Sequence, residues 1–324
     1  MNNEIAGKNV MVTGGAGFIG SHLVDELVAR NAGSVTVVDN FFLGQEENLK
    51  SARDNSVSLN VLRLDASDLA AMTSVVRDFQ IDTVFDLAVV PLPTSLTYPS
   101  WTVLTNIAIT NNFCELLRNG EIGKFVHLSS SEAYGTARYV PMDESHPHDA
   151  LTPYAASKSA GDQIINSYNQ TFNLNAVVIR PFNNFGPRQN PGTYAGIIPI
   201  VIRNVLDQVP ITIFGDGNQT RDFLFVRETA KGVCDLYTIS ATGGMCLNLG
   251  SGVETSIIDL IQMILIGMGK PNHPIVFAPE RPGDVRRHCA DMTLTSSILG
   301  RTPPSINEEH IEQTIKWYID CFGD

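Results

Sequence analysis

Short apolar runs rich in β-branched residues recur along the first half of the chain, with helix-length spacers between them. Asn9-Val10-Met11-Val12-Thr13 is the first, followed by Val35 to Val38, Asn60 to Leu64, Thr83 to Leu87, Phe125 to Leu128 and Ala176 to Ile179. Helical patterns fill the gaps: His22 to Ala29, Leu69 to Phe79, Thr110 to Arg118 and Ala155 to Phe172. Near-continuous apolar strands alternating with helices predict an α/β fold, a doubly wound parallel (Rossmann) sheet covered on both faces. Such sheets bind ligands in the crevice at the carboxyl ends of their strands. After about Ile179 the rhythm breaks, as Pro181, Pro187, Pro191, Pro199 and Pro210 arrive with many glycines. The expected division is a cofactor-binding unit over 1–180, with returning segments near 223–257, and a smaller substrate lobe over 181–324 interleaved with it. Helices are expected in the lobe at Ile197 to Leu206, Ser256 to Met268 and Glu308 to Tyr318.

The 324 residues carry a net charge of -12, which repels nucleic acids and anionic lipid surfaces. Five scattered cysteines without a CxxC pair argue against a disulfide framework or zinc knuckle, and fit a reducing, cytoplasmic setting. No HExxH pattern occurs, His146 and His148 flank Pro147 in a turn-like stretch, and no metal is expected. No signal peptide is visible, and the apolar stretch Ile257 to Met268 is too short to span a bilayer.

The first strand runs into Thr13-Gly14-Gly15-Ala16-Gly17-Phe18-Ile19-Gly20 and then a helix. Gly14 permits a tight turn, Gly17 lets backbone approach a pyrophosphate, and Gly20 lets helix pack on strand. The helix N-terminus offers free N–H groups and a positive dipole end to phosphates. The spacing is GxxGxxG, and its placement at the start of a βαβ unit gives it meaning. Asp39 closes the second strand, where an acid accepts hydrogen bonds from ribose hydroxyls and repels a 2′-phosphate; NAD is therefore expected over NADP. Asp65, after the third strand, reads equally as an adenine contact or as part of a helix cap with Ser67 and Asp68.

Tyr154-Ala155-Ala156-Ser157-Lys158 places a phenol and an amine on one helical face. A tyrosine with a reference pKa of about 10 is a poor base at neutral pH. A neighbouring ammonium and a positive nicotinamide ring favour the phenolate. Lowering the pKa by roughly three units takes about 4 kcal/mol. Upstream, His127-Leu128-Ser129-Ser130-Ser131-Glu132-Ala133-Tyr134-Gly135 begins at a strand end. Ser130 is placed to bond the same substrate oxygen as Tyr154. Glu132 is a further acid/base candidate, or a capping carboxylate.

Together these motifs resemble the extended short-chain dehydrogenase/reductase family, in particular its nucleotide-sugar epimerases, dehydratases and decarboxylases. The likeness runs the length of the chain, through Thr13–His22, Val37–Phe41, Leu87-Ala88, Thr105-Asn106, the Ser-rich and YAASK motifs, Arg180–Arg188, Ile213–Phe223 and Arg281–Arg287. It implies a catalytic set of Ser130, Tyr154 and Lys158, with Glu132. It implies NAD held by Gly14, Gly17, Phe18, Ile19, Gly20, Asp39, Asn40, Asp65, Ala66, Leu87, Ala88 and Asn106, with Tyr154 and Lys158 at the reacting end. Ser131, Asn183, Phe214, Arg221 and Arg281 are implied to hold a nucleotide-diphosphate sugar, the two arginines gripping its diphosphate. It further implies a homodimer through helices beginning near Asn106 and Tyr154.

Two departures matter. Where the family often has His-Leu-Ala-Ala, this chain has Asp86-Leu87-Ala88-Val89, followed by an apolar, proline-stiffened loop over 90–95. Where 4,6-dehydratases carry Thr-Asp-Glu, it has Ser130-Ser131-Glu132, a Ser-Glu pair similar to GDP-sugar dehydratases and UDP-glucuronate decarboxylases. The branches share removal of the C4 hydroxyl proton by Tyr154. A 4-epimerase and a 4,6-dehydratase are the leading expectations, with decarboxylation third. A non-catalytic NAD-sensing regulator is the reading from another class, and the intact Tyr and Lys weigh against it.

Overall fold

A computed structural model describes residues 4–56, 58–192, 196–239, 242–280 and 286–322. Seven parallel strands form the main sheet: β1 (Asn9–Thr13), β2 (Ser34–Asp39), β3 (Leu59–Arg63), β4 (Thr83–Asp86), β5 (Lys124–Leu128), β6 (Val177–Pro181) and β11 (Cys246–Leu249). Their order across the sheet is β11-β6-β5-β4-β1-β2-β3. Strand succession reverses between β1 and β4, where Val12 lies opposite both Val37 and Phe85. This switch point opens a crevice at the carboxyl ends.

The strands divide their side chains between two faces, as the two-residue period requires. Val10, Val12, Val126 and Leu128 join the core under α1 (Phe18–Ala29) and α8 (Val226–Tyr237). Met11 and Phe125 point the other way, into a core with α3 (Leu69–Asp78), α5 (Pro99–Arg118) and α6 (Pro153–Phe172). Caps set several helix starts. Thr152 accepts the Ala155 amide at 3.1 Å with Pro153 at the first helical position, and Asp68 accepts that of Ala71 at 3.0 Å.

A third core belongs to the smaller lobe. There α7 (Ile197–Leu206), α9 (Ile257–Gly267) and α11 (Glu308–Phe322) pack around Ile202, Ile211, Leu260, Ile264 and Tyr318. Three two-stranded ladders surround them: β7 (Asn183–Phe185) with β10 (Phe223–Phe225), β8 (Ile211–Phe214) with β13 (Ile275–Ala278), and β9 (Thr220–Arg221) with β12 (Thr255–Ser256). Short helices α2 (Lys50–Asn55), α4 (Leu92–Thr97) and α10 (Thr293–Leu299) complete the elements. No helix among the described residues is long and apolar enough to cross a membrane.

The sequence reading placed no helix at α2, α8 or α10, and it differs at α4 and α5 as well. The first half of α5 was not foreseen, because Thr102, Asn106 and Thr110 are buried polar residues that obscure its apolar stripe. Within the stiffened loop, Leu92–Thr97 forms α4, since Pro93 lies in the first turn where its missing N–H costs nothing.

Candidate active site

The glycine turn fills the crevice tightly. Gly14 has a φ of 64° and its amide donates to Val38 O at 2.8 Å. A Cβ on Gly20 would stand 2.1 Å from Gly14 O. Gly17 precedes α1 with no side-chain cap, and the first turn holds no acid. The N–H groups at this helix start are therefore left for an anion, the chemistry a pyrophosphate needs. Every residue expected at NAD, Asn106 excepted, lines one groove running from this turn to Tyr154 and Lys158.

Asp39 does two jobs at the adenosine side. Its carboxylate accepts the Ala16 amide at 3.0 Å and the Phe41 amide at 2.8 Å, so it folds its own loop while facing the groove. Burial pushes its pKa up, and the two amides pull it back. Asp65 accepts both N–H and O–H of Ser67, at 2.9 and 2.7 Å, and also lines the groove, whereas the cap of α3 is Asp68. Asn106 does not reach the groove. Its amide holds the Val90 backbone at 2.8 and 3.1 Å and donates to Ser157 Oγ at 2.9 Å, bracing the wall.

At the other end Lys158 is buried and donates to Leu128 O at 2.7 Å. Burial lowers its pKa, while Asp86 and Asp162 support the ammonium. Burial above all, with Glu132 adding to it and Ser130 opposing it, leaves the Tyr154 phenol pushed up to about 12. Ser130 Oγ also accepts the Glu132 amide at 3.2 Å, capping the turn that presents this carboxylate. Glu132 is exposed at the start of the turn after β5, and partial desolvation raises its pKa against the pull of Arg221.

Behind Lys158 lies a pairing the sequence reading did not assign. Asp86 accepts Thr13 Oγ1–H at 2.7 Å and His127 Nδ1–H at 2.8 Å, all three groups being buried. Thr13 Oγ1 then accepts the Leu87 and Ala88 amides at 3.1 Å, turning the chain off β4 into the groove wall. Ser129, also unassigned, lines the groove with a buried hydroxyl that has no partner among the described residues.

The residues expected at a substrate are spread over the lobe. Asn183 begins β7 with a buried amide nitrogen that has no partner among the described residues. Phe214 ends β8, and Arg221 lies in β9, where it donates to Thr220 O at 2.9 Å and acts electrostatically on Glu132. Ser131 is buried, and burial and then Arg221 lower the pKa of His288 to about 4. Arg281 lies outside the described residues. The ring nitrogens of His148 serve Ser159 and Arg180 at 2.7 and 2.9 Å, and His146 Nε2 accepts the Arg138 amide at 3.0 Å. The groove also takes in Arg188, which closes the Arg180–Arg188 motif but had been given no role, and Phe42 and Trp101, which no motif had marked.

This geometry has close counterparts. The sequence profile of the NAD dependent epimerase/dehydratase family matches residues 10–249. The chain belongs to that family. UDP-glucose 4-epimerase of Mycolicibacterium smegmatis is 36% identical over 95% of this chain and 97% of its own length. The structure of UDP-N-acetylglucosamine 4-epimerase from Methanobrevibacter ruminantium, in complex with UDP-N-acetylmuramic acid, superposes with a TM-score of 0.87 at 33% identity, covering 98% of this chain and 99% of that one. A dTDP-glucose 4,6-dehydratase from Streptomyces venezuelae with NAD bound gives 0.87 at 27% identity, covering 97% and 98%. This epimerase/dehydratase-family chain is thus an NAD-dependent enzyme, and its uncapped helix start and glycine turn suit that cofactor.

Proposed function

We propose that this family member remodels the sugar of a nucleotide-diphosphate sugar at C4, with 4-epimerisation as the net reaction. The observation that carries the proposal is the gathering of Tyr154 and the buried Lys158, one helical turn apart, at the end of the NAD groove, with Ser130 favouring the phenolate of Tyr154. Bound NAD supplies a hydride acceptor that later returns the hydride. The protein's part is proton management. Tyr154 takes the C4 hydroxyl proton, Ser130 orients the oxygen, and the Lys158 ammonium favours the phenolate. Presenting the opposite face of the transient ketone for hydride return inverts C4. Arg221 and Arg281 are proposed to hold the diphosphate, and Asn183, Ser131 and Phe214 to frame the nucleotide sugar.

One observation favours a second reading, 4,6-dehydration: Glu132 has a raised pKa, suited to proton transfer next to a ketone. Incubating the enzyme with UDP-, dTDP- and GDP-hexoses and following product mass and C4 stereochemistry separates the two. Unchanged mass with inverted C4 supports epimerisation, loss of one water means dehydration, and no turnover of any of them defeats both. The variant Glu132→Gln is expected to keep epimerase turnover within about tenfold, whereas dehydration would fall about 10²–10³-fold.

The buried Asp86 gives a pH test. It supports the Lys158 ammonium, so Asp86→Asn lowers the Lys158 pKa further and weakens the help given to the phenolate. Phenolate forms as pH rises; the rising limb of the kcat profile is therefore expected to move to higher pH in Asp86→Asn. An unmoved limb would detach Asp86 from the base.

The division into a cofactor unit and an interleaved substrate lobe is part of the same proposal. A homodimer is proposed through α5 and α6, which pack together and leave Leu96, Leu104 and Leu151 exposed. The five cysteines are all free thiols, which supports a reducing, cytoplasmic setting; a role in carbohydrate biosynthesis belongs to the same proposal.

A further inference from the structure

Two large aromatic side chains meet across the mouth of the NAD groove. Phe42 sits in the loop after β2, on the adenosine side of the switch point, and Trp101 sits in the first turn of α5, which follows β4 on the other side. Their ring centroids are 5.4 Å apart and edge-on at 86°, so the pair bridges elements from opposite walls. Both line the groove, and both remain substantially exposed, at 46% and 41%. The same groove is lined by the apolar side chains of Leu43, Leu64 and Ile109, together with Asp65.

The mounts of the pair are firm. Asp39 and Asn40 accept the Phe41 and Phe42 amides at 2.8 and 3.0 Å, and the Gln45 amide returns to Ala16 O at 3.0 Å. Phe42 is thereby held near the tip of a loop pinned at both ends. Trp101 rides on a helix and is buttressed edge-on by Tyr98, 6.4 Å away. Opening the bridge therefore calls for side-chain rotation more than backbone movement.

We propose that Phe42 and Trp101 form a latch over the adenosine half of NAD, which slows release of the cofactor between turnovers. The purine is the occupant that fits: a flat aromatic solute meeting two rings and apolar side chains, at the end of the groove remote from Tyr154. A cofactor that regains its oxidised form in each cycle need not leave, so a slow exit costs the reaction nothing. The inference rests on NAD being the cofactor and stands whichever sugar is turned over.

The test loads the enzyme and its variants with the fluorescent 1,N6-etheno analogue of NAD and chases it with excess NAD in a stopped-flow instrument. Phe42→Ala and Trp101→Ala are each expected to speed release by roughly tenfold or more, with association changed much less. The double variant is expected to be only a little faster than either, because either loss opens the latch. Binding of nicotinamide mononucleotide, which lacks the adenosine, is expected to be unchanged by calorimetry. Phe42→Leu and Trp101→Phe serve as variants that keep apolar bulk and fold. Release at the wild-type rate from folded variants would overturn the latch, as would equal weakening of the mononucleotide. A change in sedimentation with cofactor release unaltered would also overturn it, assigning the pair to a subunit contact instead.

Discussion

Tyr154→Phe is expected to lower kcat by about 10⁴-fold, near the top of the range for a positioned general acid–base group. The phenyl ring keeps its place at the start of α6, so the change removes one oxygen and little else. That oxygen has no substitute nearby. Ser130 is an alcohol, the Lys158 amine is committed to Leu128 O, and Glu132 stands on a different turn. Affinity for NAD is expected to stay within a few-fold, because the glycine turn and Asp39 lie at the far side of the groove. Steady-state kinetics with a direct NAD titration checks both halves. A variant retaining a tenth of the activity would remove Tyr154 from the role of base. Burial and Glu132 leave the phenol pushed up to about 12, so a nearby ammonium and the nicotinamide ring have that shift to offset. Because phenolate accumulates as pH rises, activity is expected to increase with pH up to an apparent pKa well below that value.

The second large effect is steric. Gly20→Ala would put a methyl carbon 2.1 Å from Gly14 O, a backbone atom that cannot swing aside. Relief requires α1 to separate from the glycine turn, which also disperses the amides offered to the pyrophosphate. Overpacking of this kind costs about 3 kcal/mol or more. NAD affinity is expected to fall at least about 100-fold, together with a clear drop in thermal midpoint. Gly17→Ala supplies the graded comparison. Its Cβ would stand 3.1 Å from Gly14 O, a contact that a small adjustment relieves, so a milder loss is expected. Equal effects at the two positions would mean that loop flexibility, and not helix-to-strand spacing, governs the site.

The parts of this fold legible in the sequence are those governed by period and by glycine. Apolar β-branched runs marked the six amino-terminal strands to within a residue or two, since a strand buried on both faces needs almost every side chain apolar. Tyr154 and Lys158 were readable because a helix turns 3.6 residues to the turn. The partners of Asn106, the Val90 backbone and Ser157, were not legible, for the sequence does not show which polar group an amide will meet. The Thr13–Asp86–His127 chain joins residues 73 and 41 positions apart and depends on the order of strands in the sheet. Arg188 stood in the Arg180–Arg188 motif, but its role was hidden. It adopts a φ of 66°, reaches Asp25 on α1 at 2.8 Å and borders the groove, a placement with no periodic signature. Phe42 and Trp101 likewise meet only through tertiary structure.

The place of β11 in the sheet bears on how the protein is made. Its four residues, Cys246–Leu249, follow α7, β7 to β10 and α8 in the chain, yet they form the outermost strand beside β6. During synthesis β6 emerges well before its neighbour, and all five of its residues are buried in the finished molecule. A ribosome paused between the two, or a transcript cut there, leaves a row of unpaired amides and carbonyls on an apolar strand. Such an edge recruits other chains into sheet pairing. Nascent forms of this enzyme are most prone to clump in that interval, and the hazard closes when Leu247 and Leu249 dock.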